Sequence, residues 1–195
     1  MVTEDLDRCD IIDAPYLVLH PGSRGDAATE EAIERLIALV NNVLDGYEGN
    51  AMLLIETMAG MGTEICSNFD EMKRLWSGIK RKDRLGLCFD CCHLFAAGYD
   101  VTTPDGLGRL LDEIESKVGI QYLKVVHIND CLRELGSHID RHAPIGKGQI
   151  GLEGVINIMK NPVLRKLPFI LETPTIEQDL QALRDIRAAI QREYN

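Results

Sequence analysis

The sequence predicts an α/β protein built on a parallel sheet, of the (β/α) barrel or the doubly wound type. Two observations carry that expectation. Short apolar runs alternate with longer segments whose apolar residues recur at three- and four-residue spacing, strand then helix along the whole chain. The short runs are apolar at successive positions, which suits strands buried on both faces, as in a parallel sheet. A third observation removes support from one version: no G-x-G-x-x-G loop follows a strand, so the doubly wound reading lacks its usual signature.

The elements follow in order. YLVLH (16–20) is the first run, and TEEAIERLIALVNNVL behind it is amphipathic at helical spacing. AMLLIE (51–56) is the second. Asn68 and Glu71 then stand at capping-box spacing at the head of EMKRLWSGI. RLGLCFD (84–90) is the third run, and Thr103-Pro104 opens DGLGRLLDEIESKV with proline at the first helical position. YLKVVHIND (122–130) and PFILET (168–173) are the fourth and fifth runs, and TIEQDLQALRDIRAAIQREY reads as the last helix. GKGQIG (146–151) loosely resembles a phosphate loop, but it follows a polar loop rather than a strand and carries little weight.

Of the 195 residues, 45% are hydrophobic, enough for one sizeable core and a single domain, 1–195. No apolar run reaches the roughly 18 residues of a membrane span. The start, MVTEDLDRCD, is too acidic for a secretory signal, so the expected location is cytoplasmic: near the nucleoid in a bacterium, nuclear or mitochondrial in a eukaryote. In such a compartment the six cysteines are thiols. Cys9, Cys66 and Cys131 stand apart, and Cys88, Cys91 and Cys92 make one C-x-x-C without a second pair, so a four-cysteine zinc site is excluded. The formal charge of −10 argues against a protein that coats nucleic acid, although bound divalent ions would offset part of it.

The five runs end in His20, Glu56, Asp90, His127 and Glu172, each able to bind a metal. In a parallel sheet or barrel these carboxyl ends share one rim, where active sites form. Taken singly, each has a plainer reading: a strand-end histidine as a structural residue, Asp90 as the cap of the helix after it. Taken together they favour a metal site, because three carboxylates buried side by side are costly without cations. His93, three residues after Asp90, faces the same rim if a helix starts there. Asp140 and His142, at alternate positions, point the same way in extended chain. His93, Asp140 and His142 would leave one position open on an ion, as a catalytic zinc requires. Glu56, Asp90, His127 and Glu172 can hold a second ion, and His20 with Glu56 begins a third. The mixed imidazole and carboxylate set suits Zn²⁺, Mn²⁺ or Fe²⁺. His138 reads as a solvated loop residue, and Cys91 and Cys92 as packing between strand and helix.

LHPGS (19–23), IET and AGMG (55–62), CFDCCHLFAAGYD (88–100), HINDC (127–131), GSHIDRHAPIGKGQIG (136–151) and FILETP (169–174) together resemble endonuclease IV, the zinc-dependent apurinic/apyrimidinic endonuclease of base-excision repair. The resemblance runs from about Arg8 onward, with its motifs in order. It implies a TIM barrel holding up to three zinc ions, with Mn²⁺ at one as a variant, that cuts DNA 5′ to an abasic site. By motif, His20 and Glu56 would hold the first ion, with Glu56 shared; Asp90, His127 and Glu172 would complete the second; His93, Asp140 and His142 would hold the third. Glu56 and Glu172 would be catalytic, and Arg141, Ser23 and Arg24 would contact DNA. The family begins with three further βα units, one carrying another histidine for the first ion. The expected architecture is therefore a partial barrel of the last five βα units, with apolar surface for a second copy or a partner chain to cover. Two alternatives stand beside it: a xylose-isomerase-like sugar isomerase or epimerase, and an inactive remnant that binds metal.

Overall fold

Parallel pairing joins Tyr16–Leu19 (β1), Met52–Glu56 (β2), Leu85–Asp90 (β3), Leu123–His127 (β4) and, after a short antiparallel pair formed by Asp130–Cys131 (β5) and His142–Ala143 (β6), Phe169–Ile170 (β7). The spatial order β1-β2-β3-β4-β7 follows the chain, which leaves β1 and β7 as free edges of a half-barrel. The helices are α1 (Val2–Ile11), α2 (Thr29–Asp45), α3 (Phe69–Gly78), α4 (Cys91–Ala97), α5 (Pro104–Lys117), α6 (Gly151–Lys160) and α7 (Ile176–Glu193). This computed structural model describes residues 2–193. Met1, Tyr194 and Asn195, parts of the expected domain span and, for Tyr194, of the last helical segment, lie outside them. No described helix is long and apolar enough to cross a membrane.

The caps follow the sequence closely. Asn68 Oδ1 accepts the amides of Asp70 and Glu71 at 3.1 and 3.0 Å. Glu71 reaches back, but to the Cys66 amide at 2.6 Å and the Asn68 side-chain amide at 2.8 Å, not to the Asn68 backbone. Thr103 Oγ1 accepts from the Gly106 amide at 3.0 Å, with Pro104 first in α5. Helix α4 ends at Gly98, whose φ of 107° is open to glycine at little cost. Helix α6 has no counterpart among the helical segments read from the sequence.

Alternation along the strands sorts side chains onto two faces. Leu53, Ile55, Leu85, Leu87, Phe89, Leu123 and Val126 pack with the helices in one large core. Each such buried Leu or Phe contributes about 1.5–3 kcal/mol. Leu54, Cys88 and Val125 form a small cluster on the other face, flanked by the partly buried Tyr16, Val18 and Met52. The expectation of strands buried on both faces holds for β3, fully buried throughout, but not at the edges. All four residues of β1 are half-buried, and Ile170 in β7 is 44% exposed.

Strand β4 ends at His127, as expected, and Asp130–Cys131, the tail of the fourth run, turns away to pair with His142–Ala143. Strand β7 has two residues, because the Glu172 amide donates to the Asn129 side chain instead of to a neighbouring strand.

Candidate metal centre

The second face ends, column by column, in ionisable residues. Tyr16 and Val18 lead to His20, Met52 and Leu54 to Glu56, Gly86 and Cys88 to Asp90, and Val125 to His127. One irregularity makes this work. Leu87 pairs with Leu123 but Cys88 pairs with Val125, so Lys124 is skipped and Asp90 stands beside His127. Without that skip Val126 would occupy the place beside Asp90. His20 lies one residue past β1, and Glu172 two past β7.

The resulting cluster is dense. His20 Nε2 is 2.9 Å from Glu56 Oε2. His127 Nδ1 faces Glu56 Oε1 and Glu172 Oε2 at 3.0 Å each, and Asp90 Oδ2 at 3.6 Å. Asp90 is both cap and cluster member: its Oδ1 accepts the His93 amide at 2.7 Å while Oδ2 faces the site. The α4 turn brings His93 to the same rim, and its Nε2 is 3.2 Å from Asp140 Oδ2. His142 Nε2 is 3.4 Å from Asp140 Oδ1 and 3.9 Å from Asp90 Oδ2. All eight residues singled out in the sequence as candidate ligands are thus brought together.

Backbone carbonyls orient two of the rings. His93 Nδ1 lies 2.9 Å from the Thr57 carbonyl and His142 Nδ1 3.1 Å from the Glu172 carbonyl. A carbonyl only accepts, so Nδ1 carries the proton and Nε2 is turned into the site, the arrangement of histidines that ligate metals. His142 Nε2 is itself buried and makes no hydrogen bond. An orphaned buried nitrogen aimed at carboxylates is what a cation would satisfy.

The electrostatics agree. Burial opposes protonation of His93, but the charges of Asp90, Asp140 and Glu56 outweigh it and lift the ring to about 10. The same contest lifts His127 well above its ordinary value, with Asp90, Glu172 and Glu56 bonded to it. A hydrogen bond to Glu56 raises His20. Burial pushes Asp90 up, yet His93 and His127 hold its carboxyl down at about 2. Glu56 is lowered against burial by His127 and His20, and Asp140 is lowered by its bond to His93. Protons on imidazoles therefore supply the positive charge these carboxylates need, a place cations can take.

Donor atoms come within 4.8 Å of one another in sets that could hold an ion: His20, Glu56 and His93; Glu56, Asp90, His127 and Glu172; and His93, Asp140 and His142. Two further sets include sulfur, from Cys88 with Glu56 and His127, and from Cys92 with Asp90 and His142. Burial pushes the Cys88 thiol up to about 12, and a bond to Cys131 together with burial raises Cys92 further, so neither offers a thiolate readily. Cys91 and Cys92 are fully buried in the main core. Cys131, which stands apart in the sequence, is a buried free thiol like Cys92.

The other residues singled out in the sequence take varied positions. His138 is exposed but pinned: its Nδ1 meets the Ala59 carbonyl at 3.0 Å and its amide donates to Ala96. Arg24 turns its guanidinium onto its own loop, donating to the Gly25 and Ala27 carbonyls at 3.2 and 3.1 Å. Ser23 is exposed and bridges to Glu64, and Arg141 is exposed beside Asp140. GKGQIG cannot cradle a phosphate, because the Gly148, Ile150 and Gly151 amides all donate to Asp130. The site residues missed in the sequence are Thr57, Asn129 and Asp130. The signal for Asn129 was its alternate position to His127 in HINDC.

The chain is similar to known proteins. The xylose isomerase-like TIM barrel family matches residues 1–192. A probable endonuclease 4 of Methanoculleus marisnigri is 43% identical over 175 residues, 89% of this chain and 62% of the relative. One from Chloroflexus aurantiacus is 40% identical over 192 residues, 96% of this chain and 67% of the relative. The crystal structure of endonuclease IV from Thermus thermophilus superposes with a TM-score of 0.80 at 36% identity, covering 98% of this chain and 67% of that one. The chain thus spans about two thirds of the length of the proteins it resembles.

Proposed function

The chain belongs to the endonuclease IV branch of the xylose isomerase-like TIM barrel family, and from that premise we propose that it carries the metal centre of a DNA-repair endonuclease cutting the phosphodiester 5′ to abasic sites. The observation that carries the proposal is the convergence of four histidines and four carboxylates on one rim, with the buried Nε2 of His142 facing two of those carboxylates without a hydrogen bond. That donor set fits zinc, with manganese an acceptable substitute at one position.

In this reading His20 and Glu56 would serve one ion, Glu56, Asp90, His127 and Glu172 another, and His93, Asp140 and His142 a third. When bound, the ions supply a water of lowered pKa and positive charge beside the phosphate oxygens. The chain's own groups do the rest. Glu56, 1% exposed, bonds His20 and His127 through different oxygens and holds the two halves of the site in register. Glu172, whose side chain is 43% exposed, is the carboxylate the substrate can reach, and it orients the attacking water and accepts its proton. Water oxygen bonds to phosphorus, the bond to the 3′-oxygen breaks, and that oxygen takes up the proton Glu172 received, directly or through solvent, and leaves as a 3′-hydroxyl. Arg141, exposed beside Asp140, meets the DNA backbone, with Ser23 as a second contact and Arg24 as a third once its guanidinium leaves the Gly25 and Ala27 carbonyls. The two free sheet edges are covered by further polypeptide, a partner chain or a second copy.

The test is metal content and incision on one sample. Zinc and manganese per chain are measured after purification without chelator, and the protein is incubated with a duplex carrying one abasic analogue. Two or three ions with a cut 5′ to the lesion support the proposal. Bound ions without incision, even in Mn²⁺, leave the metal-binding remnant, and turnover of a ketose in place of DNA would favour the isomerase reading.

A further inference from the structure

Asn129 ties together two of the candidate ligands without being one itself. It is fully buried just past β4, on the same side of the chain as His127. Its Oδ1 accepts the Glu172 amide at 2.9 Å, and its Nδ2 donates to Asp90 Oδ2 at 2.8 Å. The orientation of the carboxamide is unambiguous, because a backbone amide only donates and so fixes which end is oxygen. The nitrogen is thereby aimed at Asp90.

The consequence falls on Asp90. Its Oδ1 already receives the His93 amide at 2.7 Å. With Asn129 on Oδ2, each carboxylate oxygen accepts one fixed hydrogen bond and keeps a further lone pair for the site. The carboxylate cannot rotate, and it cannot accept a proton on the Asn129 side. On the other arm, the bond to the Glu172 amide holds the segment past β7 against β4, after the ladder has ended at Ile170. Asp90 and Glu172 lie on elements far apart in sequence, and both face His127.

We propose that Asn129 is the positioning residue of the ion held by Glu56, Asp90, His127 and Glu172, setting the spacing of its two flanking carboxylates. This rests on the metal-centre reading above. Partners that orient metal ligands are typically worth about 10–100-fold in affinity. The inference predicts a selective effect. The ion of His93, Asp140 and His142 depends on this amide less, because Asn129 bonds none of the three side chains: His93 is oriented by the Thr57 carbonyl, and His142 alone leans on the Glu172 segment, through its carbonyl.

The experiment is zinc titration of the full chain and of Asn129→Ala against a chromophoric chelator, paired with melting curves in chelator and in zinc. In the variant, one ion is expected to weaken about 10–100-fold while another stays tight, and the zinc-induced rise in Tm is expected to shrink. A merely structural role would lower the melting temperature in chelator and in zinc alike, leaving that rise unchanged. Should Asn129→Ala fail to fold, Asn129→Asp keeps the shape and the acceptor for Glu172 and replaces the donor by a carboxylate oxygen facing Asp90. A folded variant whose ions all bind within about threefold of the unaltered chain overturns the inference alone. Absence of zinc from the unaltered chain overturns the metal-centre reading and this inference with it.

Discussion

Removing the Asp130 carboxyl should unseat the hairpin that presents Asp140 and His142. Asp130 is fully buried, and its two oxygens gather the amides of Cys131 (2.8 Å), Gly148 (2.9 Å), Ile150 (3.0 Å) and Gly151 (3.2 Å). It thereby clamps the loop entering α6 onto β5, whose partner strand begins at His142. In Asp130→Ala these amides lose their acceptor. The donors of Cys131 and Ile150 belong to buried residues, and each costs about 1–3 kcal/mol when orphaned. Gly148 and Gly151 are only partly buried, and water can serve them. Two buried donors give about 2–6 kcal/mol, and water entering the vacated space moves the expectation to about 3 kcal/mol. Urea unfolding in chelator reads the loss as a lower midpoint at unchanged slope. Zinc titration should then report weakened binding at His93, Asp140 and His142. A loss below about 1 kcal/mol, with zinc binding intact, would refute the assignment of Asp130 as the clamp.

Three further outcomes follow from the geometry. His93 is raised from 6.5 to about 10, so in chelator its contribution to stability is complete below about pH 6.5 and disappears as pH climbs through about 10. Melting temperatures in chelator should fall across that interval, while zinc, which needs the neutral ring, should bind more tightly across the same interval. Cys92→Ala should leave the number of bound zinc ions unchanged, because its sulfur is packing; loss of an ion, read by the same chelator competition, would make the thiol a ligand. Gly86→Ala places a Cβ 2.5 Å from Leu54 Cδ2 and 2.8 Å from Lys124 Cγ, at the skipped residue of β4. It should cost about 1–3 kcal/mol by urea unfolding and weaken zinc, because relieving the clash disturbs the pairing of Asp90 with His127.

Much of this was legible in the sequence because it depends on local chemistry. The alternation of short apolar runs with capped amphipathic segments specifies a parallel sheet, since strand and helix periods and the caps at Asn68 and Thr103 act within a few residues. The ligand candidates were legible because five independent runs end in groups that cannot be buried together cheaply without a cation. Other features were decided by tertiary structure. Helix α6 starts at a glycine whose amide is held by Asp130, twenty-one positions earlier in the chain, so no local cap announces it. The skip at Lys124 is set by β3 and β4 together, and it alone puts His127 rather than Val126 beside Asp90. Asn129 gains its role only when Asp90 and Glu172 arrive from two other elements. Sequence determines which residues can ligate, because that is a property of each side chain. Which of them meet, and what holds them there, depends on register and long-range hydrogen bonds, which exist only between elements already in place.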